Sequence, residues 1–167
     1  MIPYGKQNIN QADIVNVSKV LKSNFLTTGP KIKEFEKKFS NYVGSKHAVV
    51  VSNGTAALHL ACLAAKLQPG EEVITSPLSF AASANCALYC KAKPIFVDVN
   101  QQGLIDPTKI KAQVNSKTKI IIPVHYAGLP CDLSKIKKIA KKHQLIIIED
   151  ACHALGAKYK GTKIGDC

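Results

Sequence analysis

The segment Ile146–Gly156 places a carboxylate, a thiol and an imidazole directly after an apolar run. The run predicts a buried strand that carries Asp150 at its carboxyl end. A buried carboxylate is costly unless a cationic group compensates it. Because ligands of open α/β sheets bind beyond the carboxyl ends of the strands, we expect this cation to belong to a cofactor. His153 follows Asp150 closely and either hydrogen-bonds the cofactor or packs within a turn.

A second polar segment, Ser52–His59, follows another apolar run and opens a helical pattern. The free N–H groups at a helix start and the positive end of the helix dipole can together hold an anion. Gly54 lets an anion approach the backbone closely, and Thr55 adds a hydroxyl. The segment matches neither the Gly-x-Gly-x-x-Gly dinucleotide pattern nor the lysine-bearing P-loop. Taken alone, it is as consistent with an ordinary helix cap as with a phosphate site.

A third strand end, Thr75–Phe80, places an aromatic ring at the start of a helix. Phe80 either stacks on a planar heterocycle or packs in the core, and this segment by itself favours the core. With Gly54, Thr55 and Asp150, however, it completes a set of an anion cradle, an aromatic face and a carboxylate. Pyridoxal 5′-phosphate needs this set, because its phosphate is anchored, its ring is stacked and its pyridine nitrogen is kept protonated by a carboxylate. The residues therefore predict this cofactor.

The elements that must position these residues alternate between short apolar strands and longer helices. Strands are predicted over residues 47–51, 72–75, 95–99, 119–124 and 145–149, and helices over residues 55–66, 80–90, 107–114 and 133–143. A small hairpin is expected to turn at residues 160–162. Apolar strands that alternate with helices indicate an α/β fold, with a mainly parallel sheet covered by helices on both faces.

Two amphipathic helices precede this alternation. Asn10 is expected to cap the first helix, whose apolar face is formed by Ile14, Val17, Val20 and Leu21. The second helix is expected to begin at Pro30, to end at Gly44, and to carry Ile32, Phe35, Phe39 and Val43 inward. No linker or repeat separates these helices from the rest, so the sequence predicts one domain.

Composition excludes several classes of function. The 23 basic residues outnumber the 11 acidic ones, and every basic residue is lysine. Arginine is the residue that recognises phosphate or guanine bidentately, so the lysine-rich helices indicate solvated faces rather than a nucleic-acid site. The six cysteines show no zinc-ligand spacing, so no metal site is expected, and scattered buried thiols favour a reducing cytoplasm. Neither a signal peptide nor an apolar run long enough for a membrane helix is evident.

Five blocks of the sequence resemble successive motifs of the DegT/DnrJ/EryC1/StrS nucleotide-sugar aminotransferases, which have the aspartate-aminotransferase fold (PLP fold type I). The blocks are Leu26–Pro30, Asn53–His59, Thr75–Phe80, Val124–Pro130 and Glu149–Gly156. They occur in the family order over essentially the whole chain. The resemblance implies that residues 1–167 form the N-terminal part of the cofactor-binding large domain, with the C-terminal small domain absent.

The resemblance also implies a role for each candidate residue. Gly54 and Thr55 would bind the cofactor phosphate, and Phe80 would stack on the ring. Asp150 would pair with the pyridine nitrogen, and His153 would lie near the ring hydroxyl. Asp150 and His153 are thus the catalytic candidates as well as cofactor ligands.

One departure from the family affects the expected activity. The family lysine that forms the internal aldimine lies in a Ser-Phe-His-x-x-Lys-like block after the hairpin, and no such block occurs before Cys167. Lys158, Lys160 and Lys163 lack that pattern, and we expect them to be solvated. The chain alone is therefore expected to hold part of a cofactor site without turning over substrate.

The family implies an enzyme that moves an amino group, from glutamate, to the 4-keto carbon of a UDP-linked 4-keto-6-deoxy sugar. Within the family, the Ser76–Asn85 and Asp150–Gly156 blocks are most similar to the same blocks of family members that act in pseudaminic acid synthesis. A homodimer is implied as well, because family active sites lie at the subunit interface. Two alternatives stay open: a cofactor-dependent sugar dehydratase, in which histidine replaces the lysine, and a non-catalytic half-protein that needs a partner.

Overall fold

The computed structural model describes residues 6–166, so the expectations about the first five residues and the Cys167 thiol lie outside it. These described residues form six α-helices, a single 3₁₀ turn at Tyr126–Gly128, and six short strands. The helices are α1 (Gln11–Leu21), α2 (Pro30–Val43), α3 (Gly54–Ala64), α4 (Ala82–Tyr89), α5 (Pro107–Gln113) and α6 (Leu133–His143). The strands are β1 (Glu72–Thr75), β2 (Lys93–Phe96), β3 (Thr118–Ile122), β4 (Ile146–Ile147), β5 (Lys158–Tyr159) and β6 (Thr162–Lys163).

The central sheet has the strand order β2-β1-β3-β4, and every neighbouring pair is parallel. The strands β1 and β3 lie in the middle and are almost entirely buried. Strands β5 and β6 form a separate antiparallel hairpin. The predicted α/β fold with a mainly parallel sheet is confirmed, and so is the hairpin.

Alternate residues of the central strands enter two cores on opposite faces of the sheet. Val73, Ile120 and Ile122 pack against the face covered by α3 and α4. Ile74 and Ile121 pack against the opposite face, which α5 and α6 cover. Because both faces are buried, consecutive rather than alternate residues of the central strands are apolar, as in Val73–Ile74 and Ile120–Ile122.

Local signals account for several helix ends. The Asn10 side chain accepts hydrogen bonds from the N–H groups of Ala12 and Asp13, and Asp13 accepts from the Asn10 N–H in return, which forms a capping box. Gly44 ends α2 in the left-handed conformation, at φ +96°. Both predicted caps are confirmed.

Two predictions about individual strands were wrong. Residues 47–51 form no strand, because no described strand pairs with them, and Val49 is exposed. The strand before Asp150 is not fully buried, since β4 is only two residues long at the sheet edge and Ile146 is partly exposed. Its short length is partly offset by a parallel bridge between Val124 and Asp150, which extends the pairing to the candidate carboxylate.

The apolar faces of the first two helices are also less buried than expected. Helix α1 has no buried residue, and Ile14, Val17 and Leu21 are exposed. In α2, Val43 is buried, whereas Ile32 and Phe35 are exposed. The amphipathic pattern predicted helices correctly, but among the described residues nothing covers these parts of their apolar faces.

The described cysteines are free thiols. Four of them are buried, Cys62, Cys86, Cys90 and Cys131, whereas Cys152 is exposed and so departs from the expectation of buried thiols. Within residues 6–166, no helix has the length and the apolar character to cross a membrane.

Candidate active site

A cavity of about 450 Å³ lies beyond the carboxyl ends of β1, β3 and β4. It is lined by Gly54, Thr55, Leu58, Leu78, Ser79, Phe80, Ala82, Val124, His125, Tyr126, Asp150, Cys152 and His153. All the residues that the sequence singled out for a cofactor site border this one space. The fold therefore brings together side chains that are separated by up to a hundred residues in the chain.

Asp150 is the buried charge of the cavity, with 6% of its surface exposed. Its Oδ2 accepts a hydrogen bond of 2.6 Å from the Ser83 hydroxyl, and its Oδ1 accepts a longer one of 3.3 Å from the Cys152 N–H. None of the ion pairs within residues 6–166 includes Asp150. A buried carboxylate without a cationic side chain fits a site for a ligand that carries the positive charge.

The backbone holds this carboxylate firmly. The Asp150 N–H donates to the Pro123 carbonyl, and the His125 N–H donates to the Asp150 carbonyl, both at 3.0 Å. These bonds continue the parallel pairing of β3 and β4 beyond the regular strands. Asp150 is thus placed at the carboxyl end of the sheet by backbone pairing, as the sequence predicted.

The first turn of α3 forms another side of the cavity. The Asn53 side chain caps the helix by accepting from the Ala56 N–H at 2.8 Å. The N–H groups of Gly54 and Thr55 have no partner within the helix, because the first turn of any helix leaves its amides unpaired. The positive end of the helix dipole adds to them, so this turn can bind an anion. The two interpretations of this segment, an ordinary helix cap and an anion site, are therefore compatible, because the capped helix start also faces the cavity.

Gly54 has a second structural role that the sequence did not reveal. A β-carbon at this position would lie 2.8 Å from the sulfur of Cys152. Real β-carbons essentially never approach another atom so closely, so a larger residue would displace Cys152. The close contact of these two residues joins the anion-binding turn to the segment that carries Asp150.

Phe80 and His153 present exposed rings at the cavity. Phe80 is 77% exposed, so the interpretation as a core phenylalanine is wrong. It lies just before α4 rather than inside it. His153 is exposed, and its ring lies 6.4 Å from that of Tyr126 between centroids. The ring of Phe80 is free to stack on a planar ligand, and that of His153 is accessible to one.

Another residue of the cavity lining, His125, is a buried hydrogen-bonded histidine. Its Nδ1 accepts from the Cys131 N–H at 3.0 Å, so the ring proton lies on Nε2, which donates to Glu149 Oε2 at 2.8 Å. Only 1% of the residue is exposed. His125 therefore connects the loop after β3 to the segment that ends in Asp150.

Two serines of the site were missed in the sequence. Ser83 contacts Asp150 directly, and the Ser79 hydroxyl lies 2.5 Å from that of Ser83. Ser83 lies in the first turn of α4 and Ser79 just before that helix, so no spacing within a helix pointed to this contact.

Cys152 lies against the same carboxylate. Burial of the sulfur and the hydrogen bond and negative charge of Asp150 raise the pKa of the Cys152 thiol to about 11. The residue is exposed as a whole, but its sulfur packs against Gly54. At neutral pH the group is therefore a neutral thiol, which is not activated as a nucleophile.

The lysines of the hairpin do not border the cavity. Lys158 and Lys160 are exposed, as expected, and Lys160 donates to the Ser134 hydroxyl. Lys163 is only partly exposed, because its ammonium lies 3.9 Å from the centre of the Tyr42 ring. The expectation that all three are solvated was wrong for Lys163.

The arrangement suits a planar aromatic ligand with an anionic end and a cationic ring. The helix start accepts the anion, the exposed aromatic ring stacks, and the buried carboxylate accepts a cationic N–H. Across residues 6–166, no group of three or more histidine, cysteine, aspartate or glutamate side chains is arranged to hold a metal ion.

Known proteins with similar sequences are longer than this chain. It is 44% identical to the spore coat polysaccharide biosynthesis protein SpsC of Bacillus subtilis over 98% of this chain and 42% of that protein. It is 41% identical to the UDP-4-amino-4-deoxy-L-arabinose–oxoglutarate aminotransferase of Shewanella sediminis, again over 98% of this chain and 42% of that protein. The chain thus spans less than half the length of these relatives.

Solved structures agree in fold. Spr1654 of Streptococcus pneumoniae, assigned as a sugar aminotransferase and solved in its PMP form, superposes with a TM-score of 0.94 at 32% identity, over 98% of this chain and 46% of that one. PseC of Helicobacter pylori, an aminotransferase involved in the biosynthesis of pseudoaminic acid, superposes with a TM-score of 0.91 at 33% identity, over 97% of this chain and 44% of that one. The expected fold, a part of the aminotransferase architecture, is confirmed. Since residues 7–167 also match the family itself, the chain belongs to the DegT/DnrJ/EryC1/StrS aminotransferase family.

Proposed function

We propose that this chain is the N-terminal part of the cofactor-binding domain of a pyridoxal-phosphate-dependent sugar aminotransferase. The observation that carries the proposal is the buried Asp150, which has no cationic partner among the described residues and borders a cavity beside a helix start and an exposed aromatic ring. Family membership supports the same activity. The C-terminal small domain of the fold would come from outside these 167 residues.

Each cavity residue has a role in this proposal. The N–H groups and hydroxyl at Gly54 and Thr55 bind the cofactor phosphate, and Phe80 stacks on the ring. Asp150 pairs with the pyridine nitrogen, and His153 hydrogen-bonds the ring hydroxyl. When bound, pyridoxal phosphate supplies an electron sink for the carbon that loses its proton.

The chain's own contribution is to bind, orient and polarise. Asp150 keeps a proton on the ring nitrogen, since an ionised carboxylate in a buried site stabilises the cation beside it. Proton transfer at the reacting carbon requires a base, and no lysine within residues 6–166 borders the cavity. The proposal therefore takes the catalytic lysine from elsewhere in the enzyme, and this chain alone is expected to be inactive.

The proposed substrates are a UDP-linked 4-keto-6-deoxy sugar and glutamate. The Shewanella relative is named for a UDP-4-amino sugar and oxoglutarate, the keto acid that glutamate becomes when it gives up its amino group. The name of PseC supports a pathway of the pseudaminic acid type. Sugar amination of this kind would belong to the synthesis of a surface polysaccharide, as the name of SpsC indicates for that relative.

A homodimer in the cytoplasm completes the proposal. The exposed apolar side chains of α1, such as Ile14 and Val17, are available to an interface between subunits. The buried free thiols are of the kind that persist in a reducing compartment. Light scattering of the purified enzyme would test the dimer, and a monomer at micromolar concentration would contradict it.

The activity is tested by incubating the full-length protein with the UDP-4-keto sugar, glutamate and pyridoxal phosphate. We expect 2-oxoglutarate and the 4-amino sugar in equal amounts. Asp150→Asn should lower kcat by about 100-fold or more, because the ring nitrogen loses its charged partner. Wild-type turnover in a folded Asp150→Asn enzyme would overturn the role of Asp150. A keto sugar that is dehydrated instead of aminated would support the dehydratase alternative.

A further inference from the structure

A chain of three side chains leads from the edge of the cavity to its buried carboxylate. Ser79 borders the cavity, and its hydroxyl lies 2.5 Å from the hydroxyl of Ser83. Ser83 in turn lies 2.6 Å from Asp150 Oδ2. Ser83 is only 1% exposed, so water cannot easily replace either partner.

The direction of these hydrogen bonds depends on the charge of Asp150. An ionised carboxylate only accepts, so Ser83 must use its single proton to donate to Oδ2. The Ser83 oxygen can then accept from the Ser79 hydroxyl. Aligned in this direction, the two hydroxyls polarise each other and together stabilise the anion.

We propose that Ser83 is a positioning residue for the cofactor's ring nitrogen, that it acts through Asp150, and that Ser79 reinforces it. This inference rests on the proposed function, because it assigns the hydroxyl pair a part in the same cofactor site. Ser83 holds Oδ2 in place and stabilises the charged form of the carboxylate. The remaining lone pairs of Asp150 are then available to a cationic N–H from the cavity.

The physical reason is that the other described donors to Asp150 are weak. Asp150 is buried, and besides Ser83 it is contacted by the Cys152 N–H at a long 3.3 Å and by the Cys152 thiol, which is a weak donor. A hydrogen bond to a charged group contributes roughly twice as much as one between neutral groups. Without Ser83, the anionic carboxylate paired with a protonated ring is less favoured relative to the neutral acid paired with a neutral ring. Loss of the hydroxyl should therefore shift the proton away from the ring nitrogen.

The test uses pyridoxamine 5′-phosphate labelled with ¹⁵N in its ring, bound to the full-length protein. This probe needs no lysine for attachment. Its ¹⁵N chemical shift distinguishes a protonated ring from a neutral one, and titration of the same samples gives the dissociation constant. A purely structural role of Ser83 could alter stability or affinity, but it would not move the ring proton.

We expect a protonated ring in the wild-type protein and a neutral ring in Asp150→Asn. Ser83→Ala should move the ¹⁵N shift towards the neutral value and weaken binding about tenfold, as for a lost hydrogen bond to a charged group. Ser83→Thr should restore both readouts, because it keeps the hydroxyl. Ser79→Ala should give a smaller change in the same direction.

Ser76→Ala is the matched control. Ser76 is also a buried serine of this segment, but its hydroxyl donates to the Leu78 carbonyl rather than to Asp150. It should leave the ¹⁵N shift unchanged. Circular dichroism shows whether each variant is folded. If Ser83→Ala does not fold, the ¹⁵N shift of Ser83→Thr is the measurement at this position.

The outcomes separate the two proposals. A wild-type ¹⁵N shift in folded Ser83→Ala, or a neutral-ring shift in Ser83→Thr, would overturn the role of Ser83 and leave the proposed function standing. Failure of the wild-type protein to bind pyridoxamine phosphate would overturn the proposed function and this inference with it. An equal change in Ser76→Ala would also overturn the inference, because the effect would then not depend on contact with Asp150.

Discussion

Gly54 and Cys152 are in direct contact, so close that a β-carbon on Gly54 would lie 2.8 Å from the cysteine sulfur. The contact joins the first turn of α3 to the segment after β4, although about a hundred residues separate them in the chain. It sets the distance between the turn that can bind an anion and the carboxylate that can bind a cation. The geometry of the cavity therefore depends on the small size of residue 54.

Gly54→Ala should destabilise the protein by about 1–3 kcal/mol, the usual cost of overpacking, and should weaken binding of pyridoxamine phosphate. Urea unfolding measures the first effect and equilibrium dialysis the second. The double variant Gly54→Ala/Cys152→Ala removes the sulfur and should recover most of the lost stability. If the stability changes of the two single variants simply add in the double variant, the contact with Cys152 does not restrict the size of residue 54.

The thiol of Cys152 should react slowly with iodoacetamide at neutral pH, because its pKa is raised to about 11. Its alkylation rate should still be rising steeply above pH 10, where an ordinary thiol has nearly levelled off. Burial is the first cause of this shift, and Asp150 adds to it, so Asp150→Asn should move the midpoint downward. Mass spectrometry of the labelled peptide gives the rate, and a midpoint near 9 would contradict the assignment.

The same pKa predicts how stability changes in alkaline solution. The unfolded state releases the Cys152 proton near the ordinary value of 9, whereas the folded state keeps it to about 11. The contribution of this thiol to stability is therefore fully present below pH 9 and is lost as the pH rises to 11. The free energy of unfolding, measured with urea, should fall with pH more steeply in the wild type than in Cys152→Ala, and only across that range. Parallel curves would show that the thiol does not contribute.

His125→Ala should destabilise the protein by about 2–4 kcal/mol, because it leaves the Cys131 N–H and the Glu149 carboxylate without their partner in a buried region. Thermal or urea unfolding measures the change. His143→Ala is the matched control, since the His143 Nε2 is buried without a hydrogen-bond partner. His143→Ala should lower the free energy of unfolding by clearly less than His125→Ala does. Equal losses in the two variants would mean that the hydrogen bonds of His125 contribute little.

Phe80→Ala should leave stability unchanged and weaken binding of pyridoxamine phosphate about 5- to 10-fold, as expected for a lost ring stack of about 1 kcal/mol. The ring is 77% exposed, so few core contacts are lost. Leu88→Ala, an exposed residue of the same segment outside the cavity lining, is the control for general effects on α4. Unchanged binding in Phe80→Ala would exclude stacking by this ring.

The sequence alone determined the order of the helices and of most strands, together with two helix caps. Apolar periodicity and short-range signals such as the Asn10 capping box and Gly44 act within a few residues, so they are legible without a structure. Phe80, Asp150 and His153 were found because each follows a strand end and such ends meet at one edge of a parallel sheet, whereas Gly54 and Thr55 were found from their place at a helix start.

Only the tertiary structure decided which residues touch. Pairing across the sheet left residues 47–51 without a described partner strand and reduced β4 to an edge, although their β-branched runs suggested strands. The exposed faces of α1 and α2 likewise could not be foreseen, because an amphipathic pattern does not say what covers it. The contacts of Ser83 with Asp150 and of Cys152 with Gly54 join distant segments. They arise from the packing of helices at the sheet edge, for which a linear pattern of residue types contains no distance.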